Sequence, residues 1–223
     1  MIVFGKSGHY ERIQSFGEEM ANAISHGVGF VGAITALPIL VVAAVNRGDV
    51  AGVVAASVFG ATMILLYLSS TVYHALPKSR AKRVFQVLDH VAIFLLIAGT
   101  YTPFTLGILR GAWGWTLFGL VWGIALFGAI LKVAGGVRFQ SLSTCMYLAM
   151  GWLVLIAIVP LWQAMPVWGL IWLLAGGLSY TIGVGFFVAE RRPYFHFIWH
   201  LFVVMGTACH FVAVLWYSGQ QQL

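Results

Sequence analysis

The sequence predicts an all-α membrane protein, a bundle of seven transmembrane helices that forms a single domain over residues 1–223. Two features carry this prediction. Of the 223 residues, 61% are hydrophobic and only 8% are charged, whereas an average soluble domain has about 25% charged residues. The apolar residues also fall into seven runs, each near the ~20 residues that a helix needs to cross a bilayer. A water-soluble domain is therefore excluded, and so is a disordered chain, which would be polar and poor in aromatic residues.

The runs are separated by short breaks that contain residues typical of loops, such as Gly135-Gly136 and Arg191-Arg192-Pro193. Strands of an outer-membrane barrel are excluded, because such strands alternate polar and apolar residues and these runs are apolar throughout. The predicted helices are Ala21–Val45, Val50–Leu76, Phe85–Gly107, Ala112–Leu131, Ser141–Trp162, Val167–Ala189 and Phe195–Ser218.

The basic residues predict which way the bundle is inserted. Ten of the twelve Lys and Arg residues lie on the side of the predicted bundle that carries the N-terminus, and positive charge marks the cytoplasmic side. Residues 1–18 are therefore predicted to form a short cytoplasmic segment, and the C-terminus to lie outside. The net charge of +6 is better explained by anionic lipid headgroups at these loops than by nucleic acid. The ten residues are Lys6, Arg12, Lys78, Arg80, Lys82, Arg83, Lys132, Arg138, Arg191 and Arg192, against Arg47 and Arg110 on the other side.

Polar side chains from four of the runs are expected at one depth, in the cytoplasmic half of the bilayer. Ionisable groups are expensive inside a membrane and by default mark a functional site. Because four separate helices place such groups at one level, we expect them to face one another in a single pocket. The residues are Glu19, Asn22, His26, Ser70, His74, Asp89, His90, His196 and His200.

The spacing of these residues predicts a metal site. His196 and His200 are four residues apart and share a helix face, as do Ser70 and His74. The short turn between the second and third runs places Asp89 at the depth of His74. Three imidazoles without a cysteine suit Zn²⁺, which leaves a fourth position for water. Asp89 is expected to be a fourth ligand or to accept a proton from that water, and Ser70 to donate to either of them.

Simpler interpretations stay open for several of these residues. A pair of histidines four residues apart also occurs in ordinary helix packing. The His90 ring is more simply an interhelical hydrogen-bonding group than a ligand, and His210 a packing residue. Glu19 could be a solvated helix start, and the cluster from Lys78 to Arg83 a topology signal and lipid anchor. Otherwise Glu19, Asn22, His26 and His90 form an accessory polar pocket beside the metal site.

The chain resembles the hemolysin III proteins, the bacterial branch of the progestin and adipoQ receptor family, from Glu18 to its last helix. The matching segments are Glu18-Glu19-Met20-Ala21-Asn22 with Ser25-His26, Ser70 with His74, Leu88-Asp89-His90, Gly99–Phe104, and His196 with His200.

This resemblance implies a multi-pass protein of the bacterial inner membrane with an intramembrane zinc near the cytoplasmic face. It implies His74, His196 and His200 as the ligands, Asp89 beside the zinc-bound water and Ser70 one turn before the ligand of the second helix. The related alkaline ceramidases hydrolyse lipid amides with the same metal set.

Three functions are consistent with the sequence. The first is a zinc-dependent hydrolase of a lipid amide or ester, whose substrate is a membrane lipid and in which Asp89 assists proton transfer. The second is a sensor or regulator of membrane state in which zinc is structural. The third, a channel or cytolytic pore, is disfavoured because the polar residues form no continuous stripe across the bilayer.

Overall fold

The structure is a computed structural model that describes residues 3–4, 10–12, 14–47 and 49–219. It contains seven segments that are helical, long and apolar enough to cross a membrane, which confirms the predicted fold class and makes the protein a multi-pass membrane protein. The helices are α1 (Phe16–Asn46), α2 (Val50–Ala75), α3 (Arg80–Leu106), α4 (Ala112–Gly135), α5 (Gln140–Gly151), α6 (Ile158–Ala164), α7 (Val167–Val188) and α8 (Phe195–Tyr217), where α5 and α6 together form the fifth segment.

Shorter elements complete the described chain. Two strands of two residues each, β1 (Val3–Phe4) and β2 (Tyr10–Glu11), pair antiparallel before α1. Turns of 3-10 helix cover Gly136–Phe139 and Leu153–Ala157. Lys6, counted above among the cytoplasmic charges, lies outside the described residues.

Two helices begin earlier than their apolar runs because a serine caps each of them. At α1, the Ser15 Oγ accepts a hydrogen bond from the Glu18 amide (3.3 Å) and the Glu18 carboxylate accepts one from the Ser15 amide (2.9 Å), which is a capping box. At α3, the Ser79 Oγ accepts from the Lys82 amide (3.1 Å). The basic segment after Ser79 therefore forms the first turn of α3 and not a loop.

Glu18 also ties the first helix to the last. Its carboxylate is buried, pairs with Arg12, and accepts a hydrogen bond of 2.8 Å from the amide of Tyr194, the residue that precedes α8. Tyr194 has the left-handed φ of 61°, a conformation that non-glycine residues seldom adopt. This contact brings the start of α1 beside the start of α8.

The helices form a closed bundle around a core centred on α2. α1 packs against both α2 and α8, α3 packs against α2 and α4, and α7 packs against α8. The side chains of Phe59, Met63 and Leu66 on α2 are almost completely buried, and they belong to one core with Leu40 of α1 and Val214 of α8. The ends of α1, α2, α3 and α8 are thereby held together.

At the opposite end of the bundle, two basic side chains bind within the protein. Arg110 forms an ion pair with Asp49 (2.9 Å), and Arg47 donates to the carbonyl of Leu215 (2.9 Å). Burial alone would raise the pKa of Asp49, but the hydrogen bonds from Arg110 and from nearby amides outweigh burial and lower that pKa. Both cations on this side therefore have partners in the protein.

The fifth segment is broken, which corrects the single helix predicted over Ser141–Trp162. α5 ends at Gly151 and α6 begins at Ile158, after the intervening 3-10 turn. The Tyr101 hydroxyl of α3 donates to the carbonyls of Met150 (2.8 Å) and Gly151 (2.9 Å) and accepts from the amide of Val154 (2.9 Å). Backbone groups freed inside a bilayer must find partners within the protein, and one phenol supplies them here.

Removing the Tyr101 hydroxyl is expected to destabilise the bundle. The change Tyr101→Phe removes the hydroxyl that accepts from the Val154 amide and donates to the two carbonyls at the break, and we expect the free energy of unfolding to fall by about 1–3 kcal/mol. Thermal unfolding of the purified protein in detergent measures the effect. The matched control is Tyr217→Phe, since no hydrogen bond of the Tyr217 hydroxyl is found among the described residues. Equal melting of both variants and the wild type would contradict the role of Tyr101.

Candidate metal centre

Three histidines meet at the end of the bundle where α2 ends and α8 begins. His74 lies in the last turn of α2, and His196 and His200 lie in the first two turns of α8. One ring nitrogen from each lies within 4.8 Å of those of the other two. The ring centroids are 4.8 to 5.2 Å apart. His74 and His200 are buried and His196 is half-buried. This histidine group could hold a metal ion.

Two of these imidazoles are oriented by carboxylates. His74 Nδ1 lies 2.8 Å from Oε2 of Glu19, and His196 Nδ1 lies 2.9 Å from Oε2 of Glu190. An ionised carboxylate only accepts hydrogen bonds, so Nδ1 donates in both contacts. In the neutral ring, Nε2 then keeps its lone pair and is available as a ligand.

The third imidazole is oriented from α1. His200 Nδ1 lies 3.3 Å from the carbonyl oxygen of Asn22 and 3.2 Å from the Ser25 hydroxyl, and that hydroxyl itself donates to the same carbonyl (2.9 Å). The carbonyl can only accept, so the proton of the His200 ring lies on Nδ1. All three histidines are thus held in the manner of metal ligands, whose second nitrogen donates to a carboxylate or a carbonyl.

The chemistry of the group fits zinc. The Nε2 of His74 is buried and has no hydrogen-bond partner among the described residues, and an unpartnered buried nitrogen is costly. A bound cation would satisfy it. Three neutral imidazoles are a known ligand set for catalytic zinc, with one position left for water.

Asp89 and Ser70 lie beside the histidine group and not within it. Asp89 is buried on α3 and lines the same cavity as His196 and His200, but it does not belong to the group whose ligand atoms lie within 4.8 Å. The Ser70 hydroxyl is next to the Asp89 carboxylate, although it makes no hydrogen bond of normal geometry among the described residues. Of the two roles expected for Asp89, this placement favours accepting a proton over ligation.

Three of the four accessory residues contact the histidine group. The Glu19 carboxylate accepts from His74, and the side-chain nitrogen Nδ2 of Asn22 lies 3.5 Å from Nδ1 of His74. The ring of His26 stacks on that of His200 with centroids 3.6 Å apart. His90 does not contact the group. The interhelical hydrogen bond expected of the His90 ring is not found among the described residues, where its buried Nδ1 has no partner. The residue is instead linked to α5 through its backbone carbonyl, which accepts from the Tyr147 hydroxyl (2.9 Å).

Lys82 belongs to this site, which differs from its interpretation as part of a lipid anchor. Its Nζ lies 3.0 Å from Oε1 of Glu19 and donates to the carbonyls of Tyr73 (2.9 Å) and Leu76 (3.1 Å). These carbonyls belong to the end of α2, where the last turn of a helix lacks intrahelical donors. Lys82 therefore holds both the end of α2 and the carboxylate that orients His74.

Sequence reasoning also missed Glu190 and the role of the Ser25 hydroxyl. Glu190 is one of only six acidic residues in the chain and stands six residues before His196. That scarcity is the signal that could have identified it. The contact of Ser25 with His200 spans 175 positions, and no local pattern indicates it.

A cavity of about 310 Å³ leads away from the site, within the range of ~300–1,000 Å³ usual for ligand pockets. It begins at Asp89, His196 and His200, continues between apolar side chains, and reaches Trp162 near the far end of the bundle. Exposed side chains, Leu155 and Trp162 of the fifth segment and Leu174 of α7, also line it. The cavity therefore opens sideways to the surface of the bundle that faces the bilayer.

Loss of the carboxylate that orients His74 is expected to weaken metal binding. The change Glu19→Gln removes a charged acceptor from Nδ1, and we expect the affinity for zinc to fall about 10- to 100-fold. Competition with a chromophoric chelator measures this affinity. Asp49→Asn, at the opposite end of the bundle, is the matched control and should bind zinc as the wild type does. An unchanged affinity in Glu19→Gln would show that this contact does not tune the site.

Comparison with known proteins gives one consistent group of relatives. A family model described as Haemolysin-III related matches residues 14–211. The protein named Hemolysin-3 from Bacillus cereus is 48% identical over 200 residues, covering 90% of this chain and 91% of the relative. The Hemolysin-3 homolog of Bacillus subtilis (strain 168) is 45% identical, covering 90% of this chain and 94% of the relative.

A more distant relative comes from animals. The monocyte to macrophage differentiation factor of Homo sapiens is 30% identical over 171 residues, which covers 72% of this chain and 69% of that protein. No solved structure matches the chain.

Proposed function

The chain belongs to the Haemolysin-III related family of membrane proteins, and from its histidine group we propose that it is a zinc-dependent hydrolase of a lipid amide or ester. One observation carries the proposal. Three imidazoles, each with Nδ1 in a hydrogen bond to the protein, lie beside a buried carboxylate at one end of an apolar cavity. Most of the basic residues lie at the end of the bundle that contains the histidine group. Because positive charge marks the cytoplasmic side, this favours a site in the cytoplasmic half of the bacterial inner membrane.

The residues divide the chemical work between them. His74, His196 and His200 would hold the zinc through Nε2. When bound, zinc supplies a Lewis acid that polarises a carbonyl group and lowers the pKa of water. Asp89 accepts a proton from the attacking water and returns it to the nitrogen or oxygen that leaves. The Ser70 hydroxyl lies next to that carboxylate and would donate to it or to the water.

The cavity supports a lipid as the substrate. Its walls are apolar over most of their length, and Asp89, His196 and His200 lie together at one end of it. A substrate with one polar linkage and a long chain would place the linkage at Asp89 and the chain between α3, α7 and α8. The sideways opening past Leu155 and Trp162 lets that chain enter from the bilayer without crossing water.

One observation favours a second function, a sensor in which zinc is structural. The histidine group joins α2 to α8, and Glu19, Asn22 and Ser25 add α1. A metal bound there would lock three helices together. The loss of stability in ligand variants, compared with their loss of turnover, separates the two functions.

Hydrolysis is tested on purified, zinc-loaded protein in detergent with a total lipid extract from bacterial membranes. We expect one or a few lipid species to decrease while a fatty acid appears in equal amount, both followed by mass spectrometry. The His196→Ala variant, which lacks one ligand, should release none. No release by the wild type from any lipid in the extract would overturn the hydrolase.

A further inference from the structure

A second polar layer lies deeper in the bundle than the histidine group. The Tyr67 hydroxyl of α2 donates to Oγ1 of Thr207 on α8 (2.8 Å), and the Tyr180 hydroxyl of α7 lies 2.8 Å from the same atom. Thr207 in turn donates to the carbonyl of Val203 (2.9 Å). Because that bond uses the only hydroxyl proton of Thr207, both tyrosines donate to it. The two phenols and the threonine thus satisfy one another.

His210 belongs to this layer, and its Nδ1 has no partner in the described part of the chain. The residue is only 8% exposed, and it lines the same cavity as the histidine group. Its ring stacks on that of Tyr180 with centroids 5.5 Å apart. The structure therefore places a buried, unpartnered imidazole against the cavity.

The backbone of α7 packs directly against the His210 ring. A Cβ atom at Gly176 of α7 would lie 2.6 Å from Nε2 of His210, which is too close for any residue other than glycine. The imidazole is thus packed between Gly176 and Tyr180 in one position. Its neighbours along the cavity wall of α7, Leu173 and Gly177, offer no side-chain hydrogen bond.

A neutral imidazole offers one donor and one acceptor, and leaving them unused in an apolar setting is costly. Water is a poor occupant, because a buried water usually makes about three hydrogen bonds and the hydroxyl protons of Tyr180 and Thr207 are already used within the layer. The missing partner is best supplied by a molecule that fills the cavity. His210 is ten residues beyond His200 on one helix, which is ~15 Å along the axis.

We propose that the cavity binds a long lipid chain with a hydroxyl or carbonyl group near its middle, and that His210 forms a hydrogen bond with that group. This assignment rests on the proposed function, since the chain would be that of the hydrolysed lipid, with its linkage at the histidine group. The polar group then lies ~15 Å along the chain from the linkage. A plain saturated chain would leave the imidazole unpartnered and bind less tightly.

The test compares the binding of two free fatty acids to purified protein in detergent. One is stearate, and the other is stearate with a hydroxyl on the carbon that lies ~15 Å from the carboxylate in the extended chain. We expect the hydroxylated acid to bind about five- to tenfold more tightly, as one net hydrogen bond allows. The variant His210→Leu should lose this preference and keep its affinity for stearate. Thr100→Val is the matched control, because the Thr100 hydroxyl lines the same cavity but already donates to the carbonyl of Leu96 (2.8 Å).

Two further arms keep the result decisive. Should His210→Leu fail to fold, His210→Gln retains a donor and an acceptor and should show an intermediate preference. Binding of these acids needs no turnover, so His196→Ala should retain the preference even though its hydrolysis is lost. Equal binding of the two acids by the wild type, or a preference that persists in His210→Leu, would overturn the assignment. Neither result would bear on hydrolysis itself.

Discussion

Purified wild-type protein is expected to carry ~one zinc per chain, and the His74→Ala variant none. Three imidazoles without cysteine form a complete protein ligand set for zinc. Removing His74 leaves only the two ligands of α8, while Glu19 keeps its ion pair with Lys82. The variant in which both His196 and His200 are replaced by alanine should behave in the same way. Elemental mass spectrometry of protein dialysed against zinc measures the content.

A histidine outside the group provides the control for this result. His90 is buried at the same end of the bundle, but it does not belong to the group, so His90→Ala should keep its zinc. Melting curves of all variants add the second readout. A large fall in melting temperature with zinc loss favours structural zinc, whereas a small fall with lost turnover favours the hydrolase. If the wild-type protein binds no metal even after zinc is supplied, the histidine group is a hydrogen-bonded polar network and the hydrolase proposal is wrong.

The Asp89→Asn variant is expected to keep its zinc and lose nearly all turnover. The amide has the shape of the carboxylate but cannot accept a proton from water, and general acid–base catalysis contributes ~10²–10⁴-fold. We therefore expect kcat to fall by about that factor. Fatty acid release from the lipid species identified in the extract measures it, together with zinc content.

The controls for Asp89 separate proton transfer from metal binding. Ser70→Ala removes only the neighbouring hydroxyl and should lower kcat far less than Asp89→Asn does. Asp49→Asn changes a carboxylate at the opposite end and should leave kcat unchanged. Loss of zinc in Asp89→Asn would mean that the carboxylate is a ligand. Retained turnover would mean that another group accepts the proton.

The sequence was most informative where the physical signal is local. An apolar run of about 20 residues in a bilayer has to satisfy its backbone internally and so forms a helix. The bounds of α2 and α7 follow from composition to within one residue. The starts of α1 and α3 lie five residues before the predicted starts, because Ser15 and Ser79 cap first turns whose polar residues do not belong to an apolar run.

The same contrast applies to the site. The four-residue spacing of His196 and His200, and the shared depth of His74 and Asp89, could be predicted because helix geometry fixes them. The break at Gly151 was not predicted, since the hydroxyl that stabilises it belongs to Tyr101 on another helix. His210 was expected to be a packing residue, because nothing near it in the chain shows that its ring faces a cavity.

The sequence by itself determined the class of protein, the number of membrane-spanning segments and the level at which polar side chains gather. Only the tertiary structure decided which atoms meet there. It pairs the three histidines with Glu19, Glu190 and the Asn22 carbonyl. It also directs the Lys82 side chain inward to Glu19 and leaves Nδ1 of His210 without a partner among the described residues. The reason is physical: helix formation depends on neighbouring residues, whereas the partner of a buried polar group is chosen among side chains that distant segments bring together.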